Sequence, residues 1–322
     1  MNNRLFLVLA LAIAVAVFVI GRWFAIDYLF FAGYQILLYV VLATAWNILG
    51  GYTGYVNFGT AAFFAMGAYS SVALIKFFSG IALPIPLLMV AGGLVSGIVG
   101  LGMGYLTLRL RGVFFSIATL ALAVVVQTLI TNWDYVGGSR GAYSVRPMVA
   151  PIVGSYMQYL FLLMLSLAVA AIATARAIEH SELGYGFATI RDDEAAAEAS
   201  GVPTLRLKLI ATTLTGMFMG MAGAPYPYYV TYLDPASGFN LAFAVNSIAM
   251  PLIGGTTTWA GPLIGALLLG SVQQIATVST VLGTHPEVNL LIVGLLLIAF
   301  VVAAPNGIVG FFQARPRQSR AA

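Results

Sequence analysis

Apolar residues run along this chain in long unbroken blocks, and polar residues collect in the gaps between them. Leu5 to Ile20, Ile36 to Leu49 and Leu290 to Ala304 contain no charge at all. A helix needs roughly 20 apolar residues to cross the hydrocarbon of a bilayer. Blocks of that size predict spanning helices near 5–24, 28–49, 58–78, 84–107, 112–132, 156–177, 206–229, 242–255, 260–282 and 288–304. The segment 242–255 is short and 58–78 begins in a polar, glycine-rich neighbourhood, so either has the form of a re-entrant segment. The blocks are continuous, whereas a membrane β-barrel needs alternating apolar and polar positions. The expected fold is therefore an all-α polytopic membrane protein of about ten helices, with eight to ten as the range, in one transmembrane domain over 1–322. The first block could be a signal peptide, but Gly21-Arg22-Trp23 follows it with no small-x-small cleavage site, so a retained first span is expected.

Charge sharpens this picture. Only 7% of the chain is charged, against about 25% in soluble domains. An ionised side chain at a helix centre costs roughly 2.5–3.5 kcal/mol on insertion scales. Ten of the 24 charged residues fall between Arg176 and Lys208, within one excursion between two apolar blocks. With ten spans and the N-terminus inside, Arg4, Arg109, Arg111, Arg176, Arg191, Arg206, Lys208, Arg315, Arg317 and Arg320 lie inside. Arg22, Lys76, Arg140 and Arg146 lie outside. That asymmetry favours cytoplasmic termini and places a loop at 178–206 and a basic tail at 311–322 in the cytoplasm. The longest outside connection is 132–155.

The charged loop has internal order. Asp192 and Asp193 suit a helix N-terminus, where carboxylate oxygens cap free N–H groups and meet the positive dipole end. Glu194-Ala-Ala-Ala-Glu198-Ala-Ser200 is a run of good helix formers. Gly201 can supply a left-handed C-terminal cap, and Pro203 stops continuation. A short helix at about 192–201 follows, with a small-residue surface that another protein's backbone can approach closely. An ordinary solvated loop helix has the same pattern.

Other chemistry is sparse. Cysteine is absent, there are two histidines, His180 and His285, and no Gly-x-x-x-x-Gly-Lys-Ser/Thr loop occurs. Thiolate chemistry, a histidine metal cluster and P-loop ATP hydrolysis are excluded, and no enzyme activity, metal site or cofactor of its own is expected for the chain. No basic face stands outside the membrane, so nucleic acid is not an expected partner. No ionisable residue falls mid-span, which argues against proton coupling. The polar residues within spans are Asn47, Asn57, Thr60, Gln127, Asn246, Gln273 and Gln274; each fits an interhelical hydrogen bond or a solute contact. Asn47-Ile-Leu-Gly50-Gly51-Tyr-Thr53 is similar to Pro251-Leu-Ile-Gly254-Gly255-Thr-Thr257, and small residues follow both. Paired glycine-rich interruptions point to a transport pathway. Asn47, Asn57, Thr60, Asn246, Gly254 and Gly255, beside those interruptions, are the pathway candidates.

Ala195-Ala196-Ala197-Glu198-Ala199-Ser200-Gly201 resembles the EAA signature of ABC importer permeases, whose helix docks into a cleft of the ATPase subunit. The place of the usual Glu falls on Ala195, with Glu194 one residue earlier. Gly184-Tyr-Gly-Phe-Ala-Thr-Ile190-Arg191-Asp-Asp193-Glu194 through Lys208 resembles branched-chain amino acid permeases of the LivM type. So do Gly51-Tyr-Thr-Gly54-Tyr-Val-Asn57-Phe-Gly59 through Tyr69, Leu108-Arg-Leu-Arg111-Gly112 through Leu120, Asn132-Trp133-Asp134, Gly254-Gly255 with Trp259-Ala-Gly261-Pro262, and Pro305-Asn-Gly307. The ordered set spans most of 45–310. Tyr55, Asn57 and Thr60 stand where the family more often has Gln, Ser and His, which leaves the solute open.

The resemblance implies a permease subunit of an ATP-driven importer in the bacterial inner membrane, carrying branched-chain amino acids or related small polar solutes by alternating access. It implies two cytoplasmic ABC ATPase subunits holding ATP and Mg, a second related permease subunit in a heterodimer, and a periplasmic or lipid-anchored solute-binding protein. Asp193, Glu194, Ala196, Ala197, Glu198 and Gly201 would form the ATPase-coupling surface. An autonomous ion-coupled transporter or channel is the alternative.

Overall fold

The computed structural model describes residues 3–23, 27–78, 83–144, 154–278 and 307–313, with 291, 294–295 and 298–299. The expected span at 288–304, apart from those positions, and most of the basic tail lie outside the described residues. Among the described residues, eight helical stretches are long and apolar enough to cross a membrane, with Val8–Trp23 as a shorter apolar helix. The protein is an all-α polytopic membrane protein. Its helices are α1 (Asn3–Trp23), α2 (Asp27–Thr53), α3 (Thr60–Phe77), α4 (Ile85–Thr107), α5 (Val113–Thr131) and α6 (Tyr156–Glu179). There follow α7 (Glu182–Asp192), α8 (Glu194–Ala199), α9 (Thr204–Gly223), α10 (Tyr226–Val230), α11 (Pro235–Gly238), α12 (Leu241–Gly254), α13 (Ala260–Val278) and α14 (Gly307–Gln313).

Local chemistry sets the helix ends. Pro86 sits in the first turn of α4, where its missing N–H costs nothing. Ser155 and Gln158 form a capping box at the start of α6. Asn240 accepts from the Ala242 amide at 2.8 Å to start α12. The short expected span at 242–255 gains length because α11 and α12 together run from Pro235 to Gly254, 20 residues.

Helix α2 is the hub, with Leu38, Val41, Ala43, Trp46 and Ile48 all buried, and it packs against α6, α9, α12 and α13. Helices α3, α4 and α9 meet through glycine. A Cβ on Gly67 would overlap the Gly220 backbone, and one on Gly216 would reach the Ser96 carbonyl at 2.7 Å. Water-free helices associate through such close backbone approach and through polar bridges. Here Ser96 Oγ donates to the Phe63 carbonyl at 2.9 Å, and Thr215 Oγ1 to the Ala45 carbonyl at 2.8 Å.

The bundle has two distinct ends. One gathers the break between α2 and α3, the α4–α5 turn, and α7 with α8. The start of α1 lies there too, through Phe6 against Trp259 at 5.0 Å, as does α14, through Gly307 against Gly255. At the other end, two short strands, β1 (Ala142–Tyr143) and β2 (Tyr232–Leu233), pair antiparallel and tie the 132–155 connection to the segment after α10. The polar 132–155 connection is legible in the sequence, but this pairing is not, because two-residue strands carry no periodic signal.

Candidate functional site

The charged loop folds back onto the bundle. Helix α7 buries Phe187 and Ile190 in an apolar cluster with Ile48, Leu49, Tyr52, Tyr55, Leu108 and Phe115. The chain then turns at Asp193 into α8. Asp193 Oδ1 accepts from the Ala195 and Ala196 amides at 2.9 and 3.1 Å, capping two of the free N–H groups. Asp192 ends α7 and does not share that role. At the other end Gly201 adopts φ +84°. Its amide donates to the Glu198 carbonyl at 3.0 Å, and the Val202 amide to the Ala197 carbonyl at 3.0 Å. These two bonds are the Schellman pattern that closes a helix C-terminus.

Capping at both ends matters because a six-residue helix cannot stand by itself. Its faces differ. Ala195, Ala196 and Ala199 are exposed, Glu198 is also exposed, and Ala197 is buried against the bundle. Glu194 turns inward, where its Oε1 meets Lys208 Nζ at 2.6 Å and its Oε2 accepts from the Tyr55 hydroxyl. Lys208 is 3% exposed. Its ammonium has three donors, and three acceptors surround it: Glu194 Oε1, the Leu108 carbonyl at 3.0 Å and Tyr55 Oη at 3.2 Å. Glu198 accepts from Thr204 Oγ1 at 2.8 Å and pairs with Arg111 at 3.3 Å. Burial by itself would raise the Glu194 carboxyl. Hydrogen bonds from Lys208 and Tyr55, with the charges of Lys208 and Arg111, outweigh it and hold the group below its ordinary 4.5.

Lys208, Tyr55 and Arg111 were not picked out as site residues from the sequence. Lys208 carried a readable signal, being an ionisable residue four positions into an apolar helix. Its partners are 14, 100 and 153 residues away, and no local pattern reports those.

The second group of candidates lies at two glycine-rich breaks, which abut. Asn47 Nδ2 reaches the Thr258 carbonyl at 3.4 Å, and a Cβ on Gly51 would overlap the Thr256 carbonyl. Asn57 Oδ1 accepts from the Gly59 amide at 2.7 Å, and Trp46 Nε1 donates to the Asn57 carbonyl at 3.0 Å. Asn57 Nδ2 is buried with no hydrogen-bond partner among the described residues. Thr60 Oγ1 lies 3.2 Å from Ser247 Oγ, joining α3 to α12, and Gln273 donates to Asn246 at 3.0 Å, joining α12 to α13. Gly254 and Gly255 pack directly on Gly261 and Gly307, and Gly255 has φ +119°. Glu179 fastens this region to α6 by accepting from the Trp259 amide at 2.7 Å.

Apolar helices broken at two abutting glycine-rich segments mark a multi-pass membrane protein whose breaks have the form of a transport pathway. Residues 28–301 match the family described as the permease component of branched-chain amino acid transport systems, and the chain belongs to that family. It is 25% identical to the high-affinity branched-chain amino acid permease LivM of Salmonella typhimurium, over 96% of this chain and 75% of the relative. The LivM protein of Escherichia coli gives the same identity and coverage. The L-arabinose ABC transporter permease AraH of Azospirillum brasilense is 31% identical over 63% of this chain and 62% of its own length. No solved structure matches the chain. The resemblance seen in the sequence motifs is thereby borne out.

Proposed function

We propose that this chain is a permease subunit of an ATP-driven importer in the bacterial inner membrane, moving branched-chain amino acids or a related small polar solute by alternating access. Two ABC ATPase subunits would hold and hydrolyse ATP with Mg at the charged end, which would face the cytoplasm with both termini. A second, related permease would complete the pathway, and a periplasmic or lipid-anchored binding protein would deliver solute to the opposite end. The observation that carries this reading is α8: capped at Asp193 and Gly201, anchored from beneath by Glu194, and offering Ala195, Ala196 and Ala199 outward. Such a face admits close approach by a partner backbone while its charges frame the contact. Asn57 and Thr60, buried at the break beside α2, would meet solute when alternating access opens that break.

The chain contains no cysteine, so single cysteines report contact cleanly. A cysteine at exposed Ala196 should cross-link to a co-expressed ATPase subunit, whereas one at buried Ala197 should not. Absence of an Ala196 cross-link in a complex that retains its ATPase would refute the docking role of α8.

A further inference from the structure

We infer that Glu194, Lys208 and Tyr55 form the mechanical link through which movement of α8 is passed to the break between α2 and α3. The inference rests on the ATPase-docking reading of α8 and extends it into the bundle. Helix α8 buries one small side chain, Ala197, so apolar packing holds it weakly. Its strong attachments are charge-assisted hydrogen bonds: Glu194 to Lys208 at 2.6 Å and to the Tyr55 hydroxyl, and Glu198 to Arg111 and Thr204. A displacement of α8 therefore travels along those bonds.

The recipients are of two structural kinds. Lys208 and Thr204 belong to α9, a 20-residue helix seated among α2, α3 and α4. Tyr55 belongs to residues 54–59, which are not helical and lie between Gly54, at φ +78°, and Gly59. That segment is held from the side by α5, through Ser116 Oγ to the Val56 carbonyl at 2.7 Å and the Phe58 amide to Thr119 Oγ1 at 3.2 Å. The Tyr55 ring stands edge-on to Phe115 at 5.0 Å. That non-helical segment also carries Asn57 and leads into Thr60, whose hydroxyl meets Ser247 of α12. The link thus runs from the partner-facing helix to the polar residues of the abutting breaks without passing through apolar packing alone. Lys208 and Tyr55 act as positioning residues: neither is exposed enough to meet a partner, and neither is assigned to solute.

The test uses the complete importer in proteoliposomes, with ATP hydrolysis and solute uptake measured in parallel. Tyr55→Phe keeps the ring on Phe115 and removes only the hydroxyl. Lys208→Met breaks the ion pair, and Lys208→Arg retains the charge. Tyr55→Phe and Lys208→Met should retain bound ATPase and hydrolyse ATP, yet lose about tenfold in solute moved per ATP, the order expected for one lost hydrogen bond to a charged group. Lys208→Arg should recover most of it. An unchanged solute-to-ATP ratio in Tyr55→Phe, or equal loss of hydrolysis and uptake, would overturn the link. Should Lys208→Met fail to insert, Tyr55→Phe decides the matter alone. Uptake by the wild-type chain without ATPase subunits would instead refute the functional reading on which the link rests.

Discussion

Replacing Gly201 by alanine isolates the part of α8 that depends on backbone geometry. Gly201 sits at φ +84°, and an added Cβ would meet no atom within 4 Å. Steric crowding is therefore absent, and the whole penalty is the left-handed conformation, about 1–2 kcal/mol for a residue bearing a Cβ. Relief requires Gly201 to leave that conformation, which releases the two terminal bonds, Gly201 to Glu198 and Val202 to Ala197, each 3.0 Å. Since α8 has six residues, it has no interior turns to absorb the loss. The opening equilibrium of α8 should rise by about 5–30-fold, the factor equivalent to that penalty. Hydrogen exchange at the Ala197 to Val202 amides, in detergent or nanodiscs, reads that factor as lost protection. Gly201→Asn provides the control, because asparagine tolerates the left-handed region; it should stay close to wild type. Equal protection in the alanine and asparagine variants, or an alanine variant as protected as wild type, would refute this reasoning.

Two further outcomes follow from the packing and the electrostatics. Gly261→Ala would put a Cβ onto the Gly255 backbone and force α12 and α13 apart, at about 1–3 kcal/mol for overpacking; Gly102→Ala, with no atom within 4 Å, should not destabilise. Thermal unfolding in detergent compares them, and similar melting shifts would contradict the close approach. Glu194 is held below its ordinary 4.5, so its tether contributes fully above that value and is lost only as pH falls through the depressed folded-state value. A carboxyl-labelled Glu194 should titrate below 4.5, and a midpoint at or above it would remove the ion pair from the description.

Much of this architecture was legible because membrane spans are written in composition. The ends of α4, α5 and α6 fall within a residue or two of the apolar blocks that announce them. The α8 caps were legible for the same local reason: Asp193, Gly201 and Pro203 each act on backbone within a few residues. What the sequence withheld depends on distant contacts. Glu194 reads as a solvent-facing helix residue until Lys208 and Tyr55 are brought beneath it. Ala197 reads like its neighbours, and only the docking of α8 on the bundle makes it the buried one. The polar residues within spans were legible as interhelical bridges, and Asn246 and Thr60 make such bridges. The abutment of the Asn47 and Gly254 regions was hinted at by their similarity, although similarity alone carries no contact.

Reconstitution with defined partners tests the transport function most directly. The purified chain, the proposed second permease and the proposed ATPase subunits are placed in liposomes, and uptake of a labelled branched-chain amino acid, delivered by the proposed binding protein, is followed. Uptake that requires hydrolysable ATP and the ATPase subunits, and that ceases when either is withheld, is the expected result. Equal uptake by liposomes containing this chain alone, without ATP, would contradict it and favour an autonomous transporter or channel.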